Sequence, residues 1–120
     1  MPIAITADQL DQIAASRRAD FKRKVIDHTF RKIDLSSDTR PADLASLADV
    51  IFEKVSAFLD PYPTATYESY VMMMVVYFIR GFDDVEGRDT QATLRNNRFG
   101  INTRVRVCYE LAKIFLRRGL

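Results

Sequence analysis

Ten consecutive apolar or aromatic residues, Tyr70 to Ile79, constrain the fold of this 120-residue chain more than any other feature. Three of them are adjacent methionines, Met72 to Met74. A helix on a protein surface keeps one polar face, and this segment has none. The rest of the chain, or a partner, must therefore surround it. The segment predicts an all-α fold, a compact bundle of about five helices around a central buried helix over residues 65–80.

The chain length and the start of the sequence indicate the number of domains and the expected compartment. A chain of 120 residues suits one domain, so we expect a single helical domain over residues 1–120. The apolar run is half of the roughly 20 residues that a membrane span needs. The start of the chain lacks a basic segment followed by a long apolar stretch, and Cys108 has no cysteine to pair with. We therefore expect a cytoplasmic protein without membrane contact.

The first predicted helix begins with a capping box, because Gln9 follows Thr6 by three residues. Arg17 and Arg18 interrupt its apolar stripe, so residues 6–33 are compatible with one helix or with two. The apolar residues near helical spacing are Leu10, Ile13, Ala14, Phe21, Val25, Phe30 and Ile33.

The second predicted helix follows a polar connector at residues 34–40. Thr39 is a suitable N-cap, and Pro41 suits the first turn. The helix is expected to end near Leu59, because prolines follow at positions 61 and 63. Its predicted core face is Leu44, Leu47, Ile51, Val55 and Phe58.

The third helix is predicted to start between residues 64 and 66 and to end at Gly81 as a left-handed C-cap. An acidic loop over residues 82–89, a fourth helix over 90–97 and a turn at 96–100 are predicted next. The last helix is expected to be capped by Asn102 or Thr103. Near-complete burial is predicted for Val71, Met74, Val75 and Phe78, and an inward orientation for Val107, Cys108, Leu111, Ile114 and Phe115.

Charge is unevenly distributed along the chain. The formal charge is +3 over residues 1–33, −7 over 34–87 and +6 over 88–120. Two interpretations stay open: the basic ends fold against the acidic middle, or one face binds a charged partner. Acidic side chains just after a helix C-terminus are locally unfavourable. Their presence there favours the second interpretation, a partner-binding role. The candidate partner-binding residues are Asp83, Asp84, Glu86 and Asp89, and the alternative basic surface is Arg95, Arg98, Arg104, Arg106, Arg117 and Arg118.

Sites for chemistry are not indicated by the sequence. His28 and Cys108 are the single histidine and the single cysteine, and no acid is spaced to complete a metal or catalytic site with both. The acidic segment fails as a calcium loop, since with Gly87 at position six Phe82 would occupy the first ligand position. We expect no enzymatic activity, no metal and no cofactor.

Two stretches resemble a known family. They are Ile5-Thr6-Ala7-Asp8-Gln9-Leu10 with Ser16-Arg17-Arg18, Phe21 and His28, and Tyr70-Val71-Met72-Met73 with Phe82-Asp83. This pattern is similar to that of small uncharacterised bacterial proteins encoded in type VI secretion clusters. The resemblance implies an immunity protein that neutralises a co-encoded toxin, or an adaptor that helps to load an effector.

The resulting expectation is a non-enzymatic protein-binding domain whose partner is a toxin or effector. The alternative from another class is a nucleic-acid-binding regulator that uses the basic C-terminal helix, which the modest net charge of +2 makes less favoured. A homodimer is expected if the methionine-rich helix is not fully covered by its own chain.

Overall fold

The all-α fold is confirmed by the computed structural model, which describes residues 6–33 and 42–117, without the side chains of residues 42, 43 and 117. Within these ranges there are six helices and no strand. The residues proposed to cap and start the second helix, Thr39 and Pro41, lie outside the described part, as does the connector at 34–40. The helices are α1 (Ala7–Ile33), α2 (Ala42–Leu59), α3 (Tyr67–Arg80), α4 (Phe82–Val85), α5 (Arg88–Leu94) and α6 (Ile101–Arg117).

Helix α3 is the centre of the structure, as its sequence predicts. It packs against α1, α2 and α6. Its N-cap is Thr66, whose Oγ1 accepts a hydrogen bond from the Ser69 backbone N–H at 3.3 Å. Gly81 ends the helix with φ of 84° and ψ of 168°. The positive φ explains the glycine, but this ψ is extended, so the expected left-handed helical cap is wrong in detail.

Burial along α3 agrees with the prediction at three of four positions. Val71, Met74 and Val75 are buried. Phe78 is only half-buried, so its predicted near-complete burial is wrong. Its ring packs against that of Phe30 with ring centres 5.8 Å apart. The end of α3 therefore lies at the edge of the core, where fewer helices surround it.

Helix α1 is continuous, which settles the choice between one helix and two. The predicted capping box is present: Gln9 Oε1 accepts from the Thr6 N–H at 3.0 Å, and Thr6 Oγ1 accepts from the Gln9 N–H at 3.2 Å. Residues 6–20 are all exposed, so Leu10 and Ile13 do not join the core. The reason is length, since α1 has 27 residues against 14 in α3 and projects beyond the helices that it packs on.

Helix α2 turns most of the predicted face to the core, since Leu44 and Phe58 also pack against it. Ile51 and Val55 are buried as expected, but Leu47 is exposed, and Ala48 and Phe52 take inner positions instead. The predicted face is thus correct except at Leu47, and it extends to Ala48 and Phe52.

The predicted acidic loop over residues 82–89 is wrong, because this stretch is folded into α4 and the start of α5. Val85 of α4 is fully buried and anchors the segment to the core. A Cβ at Gly87 would lie 2.9 Å from the Asp83 carbonyl oxygen, so the tight passage from α4 to α5 requires glycine. The fourth predicted helix, at 90–97, begins earlier and ends at Leu94.

Helix α6 buries one apolar face and exposes another. Cys108 is buried as predicted and Phe115 is half-buried, but Val107, Leu111 and Ile114 are exposed, so their predicted inward orientation is wrong. The inner face is formed by Ile101, Arg104, Val105, Cys108 and Ala112. Three of these side chains, Val105, Cys108 and Ala112, are small and allow α6 to pack closely on α3.

Asn102 ties the start of α6 to the start of α3. The expectation that it caps its own helix is wrong, since it lies inside α6. Its Oδ1 accepts hydrogen bonds from the Thr66 N–H at 3.0 Å and from Ser69 Oγ at 2.6 Å, and its Nδ2 donates to the Thr64 carbonyl at 2.9 Å. Among the described helices, none is long and apolar enough to cross a membrane.

Candidate functional site

The four candidate acids, Asp83, Asp84, Glu86 and Asp89, are all exposed. Two of them have counter-charges in their own chain. Glu86 Oε1 lies 2.6 Å from Lys54 Nζ, and Asp84 Oδ2 lies 3.4 Å from Arg80 Nε. Part of the acidic charge is therefore neutralised internally, by cations of the acidic middle itself and not by the basic ends of the chain.

The local electrostatic environment of the acids is less unfavourable than the sequence suggests. Asp83 and Asp84 lie in the first turn of α4, and Asp89 lies in the first turn of α5. Negative charge is favourable at the start of a helix. The acids thus follow the end of α3, but they also begin two further helices, and their positions need no external partner to explain them.

Arg104 is not a surface cation, so its place in the predicted basic surface is wrong. It is buried, its Nε donates to the Phe99 carbonyl at 2.6 Å, and its Nη1 donates to the Leu94 carbonyl at 3.3 Å. Its guanidinium also lies 5.6 Å from the centre of the Tyr62 ring. Arg104 therefore stabilises the connection between α5 and α6 by donating hydrogen bonds to a carbonyl at the end of α5 and to one in the connection itself.

The other predicted cations are not gathered in one site. Arg95 and Arg98 are exposed around the end of α5, whereas Arg106 lies on α6 at the edge of a groove described below. The Arg117 side chain and Arg118 lie outside the described residues. A continuous basic face for nucleic acid is thus not supported by the positions of the described arginines.

An exposed apolar stripe on α6 was missed by the sequence analysis. We define the α6 outer stripe as Val107, Leu111 and Ile114, with exposed fractions of 43%, 50% and 43%. The spacing of four and three residues places them on one side of the helix. A shallow depression of about 330 Å³ lies beside the stripe, and Arg106 and Glu110 contribute to its lining. The sequence signal was present but was assigned to the core, since both faces of α6 carry apolar residues.

A polar groove between α1, α3 and α6 was also missed. We define the three-helix groove as this cavity of about 250 Å³, with Val71 and Met72 as its apolar part. The Nζ atoms of Lys32 and Lys113 lie 5.7 Å and 4.8 Å from the centre of the Tyr109 ring. No sequence signal predicts it, because its lining comes from three distant segments. The charged and polar lining residues are His28, Lys32, Glu68, Arg106, Tyr109, Glu110 and Lys113.

His28 is held by a neighbouring tyrosine. Its Nδ1 lies 3.2 Å from the Tyr67 hydroxyl oxygen, and that hydroxyl donates to the Lys24 carbonyl at 3.0 Å. Since the single hydroxyl hydrogen is used there, Nδ1 must carry the hydrogen and donate to Tyr67. This pair joins α1 to α3 and leaves Nε2 as the ring nitrogen with no fixed partner in the described structure.

Cys108 lies on the inner face of α6, beside a cavity of about 150 Å³ that Arg80 and Asp89 also line. Burial raises the pKa of its thiol to about 11, and the Arg80 charge offsets this only partly. The protonated thiol is the predominant form near neutral pH, and the thiol is a much weaker nucleophile than the thiolate. In the described part of the chain, no three His, Cys, Asp or Glu side chains are placed to hold a metal ion.

Comparison with known proteins gives no relative: no protein-family model, no curated protein and no solved structure matches this chain. Membership of a type VI secretion cluster therefore stays a prediction from the sequence pattern.

Proposed function

We propose that this protein is a non-enzymatic protein-binding domain that docks its partner on the α6 outer stripe. The observation that carries this proposal is the exposure of three aligned aliphatic side chains on a helix whose opposite face is already buried. Scattered exposed apolar residues are ordinary, but a contiguous apolar patch with polar residues at its edge is typical of an interaction surface.

The setting of the stripe also supports docking. The inner face of α6 is fixed by Val105 and Ala112, which are fully buried, and by the hydrogen bonds of Arg104. A helix that is fixed in this way loses little conformational freedom when a partner binds. Arg106 provides a positive charge next to the stripe, and Glu110 beside it is paired with Lys113, so the edge of the stripe suits a partner with an acidic side chain.

Two side chains that are often catalytic have structural environments here, which supports a non-enzymatic role. The Cys108 thiol is buried and its pKa is raised. His28 contributes to the contact between α1 and α3 through Tyr67. Within residues 6–33 and 42–117, neither residue is hydrogen-bonded to a carboxylate that could complete a catalytic group.

The particular role that we propose is immunity: a cytoplasmic protein that binds a co-encoded type VI secretion toxin and blocks it. The family resemblance of the sequence motivates this role. An adaptor that carries an effector is the alternative within the same class, and it would use the same stripe. The homodimer stays a prediction, because the chain itself buries Met73 and Met74 but leaves Met72 partly exposed.

Co-expression in a bacterium with the toxin gene that neighbours the gene for this protein tests the proposal. Growth reports neutralisation, and co-purification reports binding. We expect the unaltered protein to restore growth and to co-purify with the toxin. The variant Val107→Asp/Leu111→Asp should fail in both assays while keeping the helical circular dichroism of the unaltered protein. The matched control is Leu10→Asp/Ile13→Asp, which places the same charges on the exposed first half of α1.

The outcomes separate the competing functions. Binding without restored growth favours the adaptor. Loss of binding only in the α1 variant would move the docking surface to α1 and reject the α6 outer stripe. Absence of binding, together with salt-sensitive association with random duplex DNA, would reject the proposed class and favour the regulator.

A further inference from the structure

The three-helix groove brings together cations that are far apart in the sequence. Lys32 comes from the last turn of α1, whereas Arg106 and Lys113 come from α6. In the described structure Lys113 is paired with Glu110, with Nζ and Oε2 3.1 Å apart. Neither Lys32 nor Arg106 has a carboxylate partner in that part of the chain. Two positive charges at this groove are thus available to an external anion.

The arrangement around Tyr109 also favours the binding of an anion. Two ammonium groups, those of Lys32 and Lys113, lie within 6 Å of the same ring centre. The ring attracts each of them, but it does not neutralise their mutual repulsion. Glu110 compensates only one of the two. An anion in the groove would compensate the other while the ring keeps both side chains in place.

We propose that the three-helix groove binds a small molecule that carries a carboxylate or phosphate group. The anionic group interacts with Lys32 and Arg106, and the rest of the molecule contacts Met72. This site adjoins the α6 outer stripe and shares Arg106 and Glu110 with the edge of that stripe, but the proposal does not depend on docking there.

The groove itself limits the class of ligand. Its volume of about 250 Å³ lies below the range of about 300–1,000 Å³ typical of drug-sized ligands, so the ligand is small. Glu68 and Glu110 oppose the three cations and leave a formal charge of +1 when His28 is neutral. This balance favours a ligand of low charge over a polyphosphate or a nucleic acid. When His28 is neutral its hydrogen is on Nδ1, which donates to Tyr67, so Nε2 can accept a hydrogen bond from a ligand hydroxyl.

Methyl NMR of protein labelled at its methionine methyl groups tests this site directly. Met72 lines the groove, whereas Met73 and Met74 are buried and serve as internal references. The probes are inorganic phosphate and glutarate, titrated at constant ionic strength against sodium chloride. We expect both probes to shift the Met72 methyl signal with saturation, and the two reference signals to move little.

Two double variants that each lose two positive charges show whether binding of the probes depends on the groove. Lys32→Gln/Arg106→Gln removes the two unpaired cations, and the apparent Kd should rise about tenfold or more, as expected for lost charge-assisted hydrogen bonds. Arg31→Gln/Arg98→Gln is the matched control, because Arg31 adjoins Lys32 in the last turn of α1 and neither arginine lines the groove. The control should bind as the unaltered protein does. If the first double variant loses the Met73 and Met74 signals of the folded state, Arg106→Gln alone is used.

Several results would overturn the proposal. The first is a Met72 shift that does not saturate, or that sodium chloride reproduces. The second is an equal loss of binding in the control variant, which would indicate general electrostatic attraction. The third is tripolyphosphate binding far more tightly than phosphate, because a delocalised basic surface, unlike the small groove described here, gains affinity with every added charge.

Discussion

Helices α3 and α6 contain similar kinds of apolar residue but use them differently. Helix α3 has no polar face over residues 70–79, and α1, α2 and α6 surround it. Helix α6 has charged residues in nearly every turn, yet it exposes Val107, Leu111 and Ile114 and buries Arg104. The comparison shows that hydrophobicity decides burial only where no alternative face exists. Where a helix has two apolar faces, the shape of its neighbours selects one.

The largest expected effect comes from the fully enclosed part of α3. Met74→Ala should lower the free energy of unfolding by about 2–5 kcal/mol, because it removes a buried side chain and leaves a cavity. Met72→Ala is the matched control, since Met72 is only half-buried two residues away. Urea titration measures both. Equal losses would show that α3 is not enclosed as described.

The second effect concerns the buried arginine of α6. Arg104→Met should cost about 1.5–3 kcal/mol, because the Phe99 and Leu94 carbonyls lose a charged donor. Arg106→Met, two residues further on and exposed, should change stability by about 0.5 kcal/mol or less. Denaturant unfolding of the two variants distinguishes the inner from the outer face. A reversed order would contradict the assignment of the faces.

Alkaline pH should lower the free energy of unfolding, because α3 and α6 each bury a group that ionises at high pH. The pKa of Tyr70 is raised to about 12, first by burial and then by its hydrogen bond to Asp60, and the pKa of Cys108 is raised to about 11 by burial. Both groups hold their protons more tightly in the folded state than in the unfolded chain, where the pKa values are about 10 and about 8.5. Stability is therefore complete below about pH 8.5 and falls as the pH rises towards 12.

Urea titrations at a series of pH values from neutral to strongly alkaline measure this decline. Cys108→Ala should reduce the earlier part of it, and Tyr70→Phe the later part. Constant stability across the alkaline range would contradict the burial of both groups.

A smaller effect is expected from the acids after α3. Asp84→Asn/Glu86→Gln removes two exposed ion pairs, each worth about 0–1 kcal/mol. Asp83→Asn/Asp89→Asn has no described ion pair to remove and should cost less. Thermal unfolding compares the two variants. If association with a cognate partner slows at low salt in both variants without loss of stability, the acidic cluster regains its place as a docking surface.

The smallest effect on stability is expected at the α6 outer stripe. Val107→Thr/Leu111→Gln should change the free energy of unfolding by about 0.5 kcal/mol or less, since both side chains are about half exposed. The same variant should bind the partner more weakly. Sedimentation of the unaltered protein tests self-association: a dimer lost in this variant would identify a second copy as the occupant of the stripe. A large loss of stability would instead show that the stripe belongs to the core.

The sequence predicted the features that local rules control. The capping box of Thr6 and Gln9, the end of α2 at Leu59 and the central position of α3 are confirmed, because each depends on neighbouring residues or on an unbroken apolar run. The folding of residues 82–89 into helices was missed, since α4 has only four residues and depends on the buried contact of Val85.

What the tertiary structure alone decided is the location of the candidate sites. Lys32 and Arg106 line the same groove, and no spacing within one segment predicts that they lie at one site. The α6 outer stripe depends on which of two apolar faces α3 accepts, and the close approach of the helices favours Ala112 over Leu111. Local sequence thus determined which segments are helices. The packing of those helices, which depends on side-chain shape across distant segments, determined which residues are left for binding.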